Sequence, residues 1–314
     1  MTYLYFIAAP EEDRDLAYLE ATVMLEEKVG TPFHFTDHKV DISESAYVKL
    51  CGKLILKSNS FTELLEKISQ ADIDYDQFRI ELHSSIRTRA DMDSNIKGVI
   101  SIADAIKNGN PNLSNPAVYL DVLGDESGYY FLERQSIASN SWQAHIKKPY
   151  SFSSSLGARH SRALVNIACH KAKTFLDPCC GFGNVVLEAA YLGLEASGND
   201  LNPKQVWYAE ENLKHFGFER HIFQQDALTL LPDSKVDSII VDFPYGLNSH
   251  APDDFYFEFI KYYFTRTKTL VTLTMVPFAD ELQKAGYQVL GVAVPYKGYK
   301  FKRYVTLSVS NQVP

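Results

Sequence analysis

The C-terminal half of this chain alternates strand-like and helix-like segments, and this alternation constrains the fold more than any other feature. From about Tyr150, the pattern predicts short strands at 174–176, 194–198, 222–224, 237–241 and 270–275, and the β-branched run at 236–241 predicts a buried parallel strand. Helical periodicity follows individual strands at 184–192, 204–216, 255–263 and 281–285. Strands that are separated by helices predict βαβ units in a mostly parallel sheet. Two last strands, 288–294 and 303–310, have no helix between them and predict an antiparallel hairpin at one edge.

The N-terminal half has a mixed pattern that predicts a separate α+β domain. Its predicted strands are 3–7, 47–56 and 78–82, its predicted helices are 13–27, 61–69 and 96–107, and a predicted hairpin joins 118–122 to 129–132. A chain of 314 residues is long enough for two hydrophobic cores. We therefore expect an α+β domain over residues 1–148 and an α/β domain over residues 149–314.

Composition limits the classes of protein to consider. A hydrophobic content of 46% with 22% charged residues is typical of a soluble globular protein. No apolar run approaches the roughly 20 residues that span a bilayer. The first ten residues also lack the basic region that opens a signal peptide, so the sequence favours a cytoplasmic protein.

Charge and metal-ligand spacing give two further expectations. The formal net charge of −8 argues mildly against a broad nucleic-acid surface. Local basic clusters nevertheless contain Lys147, Lys148, Arg159, His160 and Arg162, and then Lys297, Lys300, Lys302 and Arg303. Each cluster is either a phosphate-binding site or an ordinary solvated face. Four cysteines without a CxxC pair and nine histidines without metal-ligand spacing predict reduced thiols and no metal site.

A glycine-containing turn lies between the first strand and first helix of the α/β half. Gly181 and Gly183 allow the backbone to turn tightly and to approach a ligand where side chains would block it. A dinucleotide fingerprint would have a third glycine where this chain has Val186. The turn therefore fits another ligand better, or it is only a connection between strand and helix.

Three aspartates at successive strand ends favour S-adenosylmethionine as that ligand. Asp177 could meet the cationic amino group of a methionine moiety, and Asp200 could accept hydrogen bonds from both ribose hydroxyls. Asp226 could accept an adenine amino N–H. A single aspartate after a strand is more often a helix cap or a turn residue, but three of them beside the glycines shift the balance toward a cofactor site.

A second motif follows the strand at 237–241. Asp242 provides a carboxylate, Pro244 a rigid backbone and Tyr245 an aromatic face. In open α/β sheets, ligands bind at this C-terminal edge of the strands. A planar base could stack on Tyr245 while its exocyclic amine donates to Asp242, which is an arrangement suited to methylating a weakly nucleophilic amine.

These motifs resemble those of a known enzyme class. Residues 177–183 (DPCCGFG) resemble motif I of S-adenosylmethionine-dependent methyltransferases, 199–202 (NDLN) motif II, and 242–246 (DFPYG) motif IV of the amine-methylating branch. That branch usually has Asp/Asn-Pro-Pro-Tyr, and Phe243 departs from it at the second position. Residues 148–168 resemble the segment that leads into the catalytic domain of tRNA guanosine N2-methyltransferases that modify the tenth nucleotide. Residues 78–80 and 112–118 resemble strings in the THUMP domain of that family.

The resemblance implies a fold, a cofactor, a partner and roles for particular residues. The fold would be a Rossmann-like methyltransferase domain, with a mostly parallel sheet and an antiparallel last strand, preceded by a ferredoxin-like, THUMP-like RNA-binding portion at about 45–148. The cofactor would be S-adenosylmethionine, with Ser155 in a loop that lines its pocket. The substrate would be the exocyclic N2 amine of a guanosine in tRNA. The implied substrate-binding residues are Phe243, Tyr245, Arg159, Arg162 and Lys300, and the implied catalytic residues are Asp242, Pro244 and Tyr245.

Two alternatives remain open at the level of sequence. Motif IV is shared with DNA adenine-N6 and protein glutamine-N5 methyltransferases, although no target-recognition domain of the DNA enzymes is visible here. The second alternative is a non-catalytic RNA-binding protein with a decayed methyltransferase half. We expect a monomer, and the sequence leaves a partner subunit open.

Overall fold

The computed structural model describes residues 1–71, 73–84, 95–153, 155–219, 221–230, 234–244, 254–297 and 301–313. The strands are β1 (Tyr3–Ile7), β2 (Phe33–Thr36), β3 (Val48–Ser58), β4 (Phe78–Ser84), β5 (Val118–Asp125), β6 (Gly128–Ile137), β7 (Thr174–Asp177), β8 (Glu195–Asn199), β9 (Ile222–Phe223), β10 (Val236–Asp242), β11 (Thr267–Thr274), β12 (Gln288–Ala293), β13 (Tyr296–Lys297), β14 (Phe301–Lys302) and β15 (Tyr304–Val309). The α-helices are α1 (Arg14–Leu25), α2 (Phe61–Gln70), α3 (Asn95–Ala105), α4 (Ala158–Cys169), α5 (Asn184–Tyr191), α6 (Pro203–His215), α7 (Phe255–Tyr263) and α8 (Ala279–Lys284).

The chain divides into two compact units. The first contains Met1–Ala8, Gly30–Ser43 and Val48–Ala138, and the second contains Ala9–Val29, Glu44–Tyr47 and Ser139–Pro314. None of the described helices combines the length and the apolar character needed to cross a bilayer.

The first unit is built on a six-stranded sheet in the order β2-β1-β3-β6-β5-β4. Neighbouring strands are antiparallel except β4 and β5, which are parallel. The apolar sides of α2 and α3 pack with the sheet through Leu64, Ile68, Ile102, Phe78 and Phe131. The mixed α+β character and the β5–β6 hairpin are as predicted, whereas the short strand β2 had no recognisable periodic signal.

The second unit is built on a seven-stranded sheet in the order β12-β15-β11-β10-β7-β8-β9. Strands β11, β10, β7, β8 and β9 are parallel, and β15 runs antiparallel to both β11 and β12. Ile239, Ile240 and Val241 are fully buried, as expected for a central parallel strand with helices on both faces. The predicted mostly parallel sheet with an antiparallel last strand is therefore confirmed. The ribbon formed by β13 and β14 was not predicted, since two-residue strands carry no readable period.

The boundaries of the units differ from the division at 148/149 expected from the sequence. Helix α1 belongs to the second unit, where it packs on α4 and on β12. At Gly291, an added Cβ would lie 2.6 Å from Leu19 Cδ1, so the missing side chain makes room for α1. The carboxylate of buried Glu20 also accepts the backbone N–H groups of Ala46 and Tyr47 at 2.8 and 2.9 Å. These long-range contacts assign 9–29 and 44–47 to the second unit, and local periodicity carries no information about them.

Candidate active site

Three carboxylates come together at the C-terminal ends of neighbouring strands in the second unit. Asp177 ends β7, Asp200 follows β8 and Asp242 ends β10. Since β7 lies between β10 and β8, Asp177 occupies the central position. Burial raises the pKa of Asp177 well above its usual range, and the negative charges of Asp242 and Asp200 raise it further. The three side chains are therefore close enough to interact electrostatically.

The glycine turn after β7 forms one wall of this site. Gly181 and Gly183 have φ values of 53° and 74°, in the left-handed region that favours glycine. The N–H of Gly181 donates to Asp200 Oδ2 at 3.0 Å, and a Cβ at Gly181 would meet no atom within 4 Å. A Cβ at Gly183, in contrast, would lie 3.0 Å from Ala209 Cβ on α6. Gly181 thus borders open space where a ligand could lie, and Gly183 allows close packing of the helix.

Asp177 is the carboxylate best placed to meet a cation. Its side chain is 4% exposed, and its Oδ1 accepts the N–H of Cys179 at 3.1 Å. Keeping a buried carboxylate ionised beside two others is costly without a compensating positive charge. S-adenosylmethionine carries a positively charged ammonium and a positively charged sulfonium. This group of carboxylates therefore fits the cofactor that the sequence predicted.

The other two predicted cofactor aspartates have different environments. Asp200 is half-buried, and its Oδ1 accepts the N–H of Asn202 at 2.9 Å. Asp226 is exposed, and its Oδ1 accepts the N–H of Leu228 at 2.9 Å, which caps the short 3-10 helix Ala227–Thr229. A single aspartate after a strand is more often a helix cap than a cofactor ligand, and Asp226 has this capping role. Contact between Asp226 and an adenine ring stays a prediction.

Asn199 is a site residue that sequence reasoning missed. Its buried amide donates to the carbonyls of Pro178 and Gln225, both at 3.0 Å, and accepts the N–H of Gln225 at 3.1 Å. These bonds join the end of β8 to the segments that follow β7 and β9, so Asn199 helps to hold the strand-end aspartates in their relative positions. The sequence analysis includes it only as the first residue of the string 199–202 that resembles motif II and gives it no role of its own.

Ser155 lies in a loop that is attached to the start of α5. Its Oγ donates to the carbonyl of Phe152 at 2.7 Å, so the hydroxyl is engaged within its own loop. Asn184 Nδ2 donates to the carbonyl of Leu156 at 2.7 Å, which ties this loop to the helix after the glycine turn. A contact between Ser155 and a cofactor stays a prediction.

Motif IV places Asp242 beside a cation from the end of the chain. Arg303 Nη2 lies 3.4 Å from Asp242 Oδ2, with the two side chains 14% and 24% exposed. The carbonyl of Pro244 accepts the hydroxyl of Tyr256 at 2.9 Å, which fixes the backbone after Asp242. Tyr245 and Lys300 lie outside the described residues. The sequence placed Arg303 in a basic cluster but did not predict its pairing with Asp242.

Phe243 requires a correction. The sequence placed it in the substrate pocket, but its side chain is only 1% exposed. The ring stacks on Tyr256 with centroids 4.3 Å apart and packs edge-on against Phe259 and Phe278. Its N–H also donates to the carbonyl of Leu273 at 3.1 Å and so extends the pairing with β11. Phe243 therefore anchors motif IV in the core and does not line a substrate pocket.

Arg162 requires a second correction. It was expected to contact phosphates, but its side chain is fully buried, with Nε donating to Glu188 at 2.9 Å and Nη1 to Glu44 at 2.5 Å. A guanidinium in that position cannot reach RNA. Arg159 on the same helix is half-buried, with its guanidinium 4.7 Å from the ring centroid of Trp142. For Arg159 the structure gives a packing role, and phosphate contact stays a prediction.

One group in the first unit has the side chains of a metal site. Ligand atoms of Glu81, His83 and Asp121 lie within 4.8 Å of one another. Arg134 donates to Asp121 through Nε at 2.8 Å and to Glu81 through Nη2 at 2.5 Å. Because the guanidinium already supplies positive charge to both carboxylates, we describe this group as an ion-pair network.

Comparison with known proteins identifies the domain that carries the site. Residues 146–275 match the family model described as RMKL-like, methyltransferase domain. This segment therefore resembles a methyltransferase domain. The match begins just before the loop of Ser155 and ends beyond motif IV, so all the strand-end carboxylates lie within it.

Relatives and solved structures agree with this assignment. A tRNA (guanine(10)-N2)-dimethyltransferase of Methanothermobacter thermautotrophicus is 35% identical over 105 residues, which are 33% of this chain and 31% of the relative. A protein of the same name from Methanocaldococcus jannaschii is 25% identical over 215 residues, 61% of this chain and 60% of the relative. The chain thus spans between about a third and three fifths of these relatives. TrmN from Thermus thermophilus has the same fold, with a TM-score of 0.52 at 18% identity, over 98% of this chain and 100% of that one. The predicted methyltransferase fold and the resemblance on which it rested are confirmed.

Proposed function

We propose that this protein is an S-adenosylmethionine-dependent RNA methyltransferase that methylates the exocyclic N2 amine of a guanosine in tRNA. The observation that carries the proposal is the position of Asp242, a hydrogen-bond acceptor at the end of β10, directly beside the Asp177 and Gly181 edge of β7. The names of the curated relatives support the choice of guanosine and tRNA.

The methyltransferase domain has the groups to hold the cofactor. S-adenosylmethionine supplies an electrophilic methyl group on a positively charged sulfur. Asp177 would pair with the ammonium, and Asp200 would accept the ribose hydroxyls while it holds the N–H of Gly181. Asp226 would reach the adenine edge. The excess of negative charge at these strand ends favours a cationic ligand over a phosphate-bearing one.

The residues after β10 would position the target amine. A guanine leaves its stack at a cost of a few kcal/mol, and Tyr245 stacks on its face. Asp242 accepts an N–H of the amine, and the carbonyl of Pro244, which has a second lone pair beside its bond to Tyr256, accepts the other. These bonds direct the nitrogen lone pair, and the Asp242 carboxylate then takes up the released proton. Positioning of this kind lowers barriers by up to ~7–11 kcal/mol, and acid–base assistance contributes roughly 10²–10⁴-fold.

The tRNA would be held by the first unit together with local cations of the second unit, such as Lys147. Within the range 45–148 that the sequence suggested, we assign a THUMP-like RNA-binding role to Val48–Ala138, the part that lies in the first unit, on the strength of the two sequence strings noted above. A cytoplasmic monomer that acts on tRNA is the simplest form of the proposal.

Methyl transfer to unmodified tRNA tests the proposal, with nucleosides identified by mass spectrometry. We expect N2-methylguanosine from the wild-type protein, and a loss of at least about 100-fold in turnover for Asp242→Ala with cofactor affinity retained. Parallel reactions on DNA and on protein extract separate the alternatives. Methyladenine in DNA, methylglutamine in protein, or unchanged turnover of Asp242→Ala would contradict the proposal.

A further inference from the structure

We propose that Arg303 determines specificity for guanine by donating a hydrogen bond to O6 of the target base; this inference rests on the proposed function. It assigns a substrate contact to the cation that lies 3.4 Å from Asp242. Arg303 comes from the other end of the domain, far from motif IV in the sequence.

The backbone around Arg303 fixes where its side chain starts. Its N–H donates to the carbonyl of Pro295 at 3.0 Å, which closes the base of the β13–β14 ribbon. The next residue, Tyr304, pairs with Thr274 of β11, and Leu273 of β11 pairs with Asp242 of β10. Arg303 therefore lies at the same edge of the sheet as Asp242, with one strand, β11, between β15 and β10. The Arg303 side chain is 14% exposed, so it is held in place and still borders the site.

The donor and acceptor order of this pair matches the edge of guanine. That edge presents the N2 amine, then N1–H, then the O6 acceptor. A carboxylate can accept two parallel N–H bonds, as it does from arginine. With Oδ2 of Asp242 facing N1–H and the other oxygen facing the amine, the next position on the edge is O6. Arg303 Nη2 is the donor found beside Oδ2.

The same order of acceptors and donor, the Asp242 carboxylate followed by Arg303, disfavours the binding of adenine. Adenine presents an amine followed directly by the N1 acceptor, which would face a carboxylate oxygen. Two acceptors opposite each other cost free energy because neither is satisfied. A guanidinium carries five N–H donors in a rigid fork, so Arg303 can donate to O6 and keep its contact with Asp242.

Base analogues separate this role from a structural one. Guanosine, 2-aminopurine riboside and 2,6-diaminopurine riboside all carry the 2-amine, and only guanosine carries O6. Each analogue is ligated into tRNA at the guanosine that the wild-type protein modifies, and kcat/KM is measured. The wild-type protein should prefer guanosine. In Arg303→Met we expect the preference for guanosine, which is the ratio of its kcat/KM to that of each analogue, to fall roughly 5- to 150-fold, the range for one good base contact.

Two further variants make the test decisive. Lys302→Met removes an exposed cation from the neighbouring position, and its preference for guanosine over the analogues should equal that of the wild-type protein. Arg303→Lys keeps a charged donor without the fork geometry and should retain part of the preference, which provides the readout if Arg303→Met does not fold.

The outcomes distinguish this inference from the proposed function. Equal losses for guanosine and both analogues in the Arg303 variants, or an unchanged preference, would overturn the role of Arg303 and leave the proposed function standing. No methyl transfer to guanosine by the wild-type protein would overturn the proposed function itself.

Discussion

At the scale of single residues, the site is governed by the cost of placing a carboxylate in a buried position. Asp177 is held between two other carboxylates, and burial is the largest cause of its raised pKa. The position of Asp177 in the site was predictable, because a strand end followed by a glycine turn is a local pattern. The rise in its pKa was not predictable, because Asp200 and Asp242 approach Asp177 only after the parallel strands have paired.

The side-chain direction of Phe243 was open to prediction and was missed. Successive residues of an extended segment point to opposite sides, so Asp242 and Phe243 cannot both face one pocket. Applied to motif IV, that rule directs the aromatic ring toward the core. The burial of Arg162 was harder to foresee, since its partners Glu44 and Glu188 are distant in sequence.

Cofactor affinity should depend on pH through Asp177. Its pKa in the free protein is raised, so near and below that pKa the carboxyl is partly neutral, and binding a cation must ionise it. Affinity for S-adenosylmethionine should therefore rise with pH, by up to about tenfold per pH unit for one linked proton, and level off above the raised pKa. Isothermal titration below about pH 7.5 avoids loss of the ligand's own amino proton.

The matched variant for that measurement is Asp177→Asn. It should bind the cofactor more weakly and with a flatter pH profile, while Asp200, whose pKa burial also raises, keeps a smaller contribution of the same sign. An affinity that falls as pH rises, or an identical profile in Asp177→Asn, would contradict the assigned role.

At the scale of elements, α4 and α5 are joined by a buried ion pair. Arg162 on α4 donates to Glu188 on α5, and both side chains are fully buried. His145 also contacts Glu188 at 2.8 Å. The strands and helices of this domain could be predicted from the periodicity of their apolar residues, because each element has a buried apolar side. The polar contacts that fix how α4 and α5 pack have no period and could not be predicted.

Removing one partner of that pair should destabilise the protein strongly. In Arg162→Met the Glu188 carboxylate loses its main cation inside the core, and the free energy of unfolding should fall by about 3–5 kcal/mol. Arg159→Met on the same helix removes a half-buried cation that stacks on Trp142, and should cost only about 0.5–2 kcal/mol. Denaturant unfolding of both variants provides the comparison, and equal losses would argue against a special role for the buried pair.

At the scale of the whole molecule, the second unit is assembled from three separate stretches of chain. Residues 9–29, 44–47 and 139–314 form the second unit. The first unit is formed by the stretches that precede and separate them, 1–8, 30–43 and 48–138. Composition predicted two cores from 314 residues but could not predict this interleaving, because α1 carries the same kind of apolar stripe whichever unit it packs on. The net charge of −8 is likewise a property of the whole chain and says little about a local RNA-binding surface.

Binding of tRNA by the full chain should therefore depend on a few local cations and be sensitive to salt. In the first basic cluster, Arg162 is buried and Arg159 packs on Trp142. Lys147 is exposed, so it is the residue of this cluster that we expect to contact a phosphate. A plot of log affinity against log salt concentration should fall, with each phosphate contact adding about −0.7 to −0.9 to the slope. Lys147→Ala should make the slope shallower by about one such unit. Lys284→Ala, which removes a lysine paired with Glu281 on α8, should leave the slope unchanged. A tRNA affinity that does not respond to salt would mean that the protein makes no direct phosphate contacts.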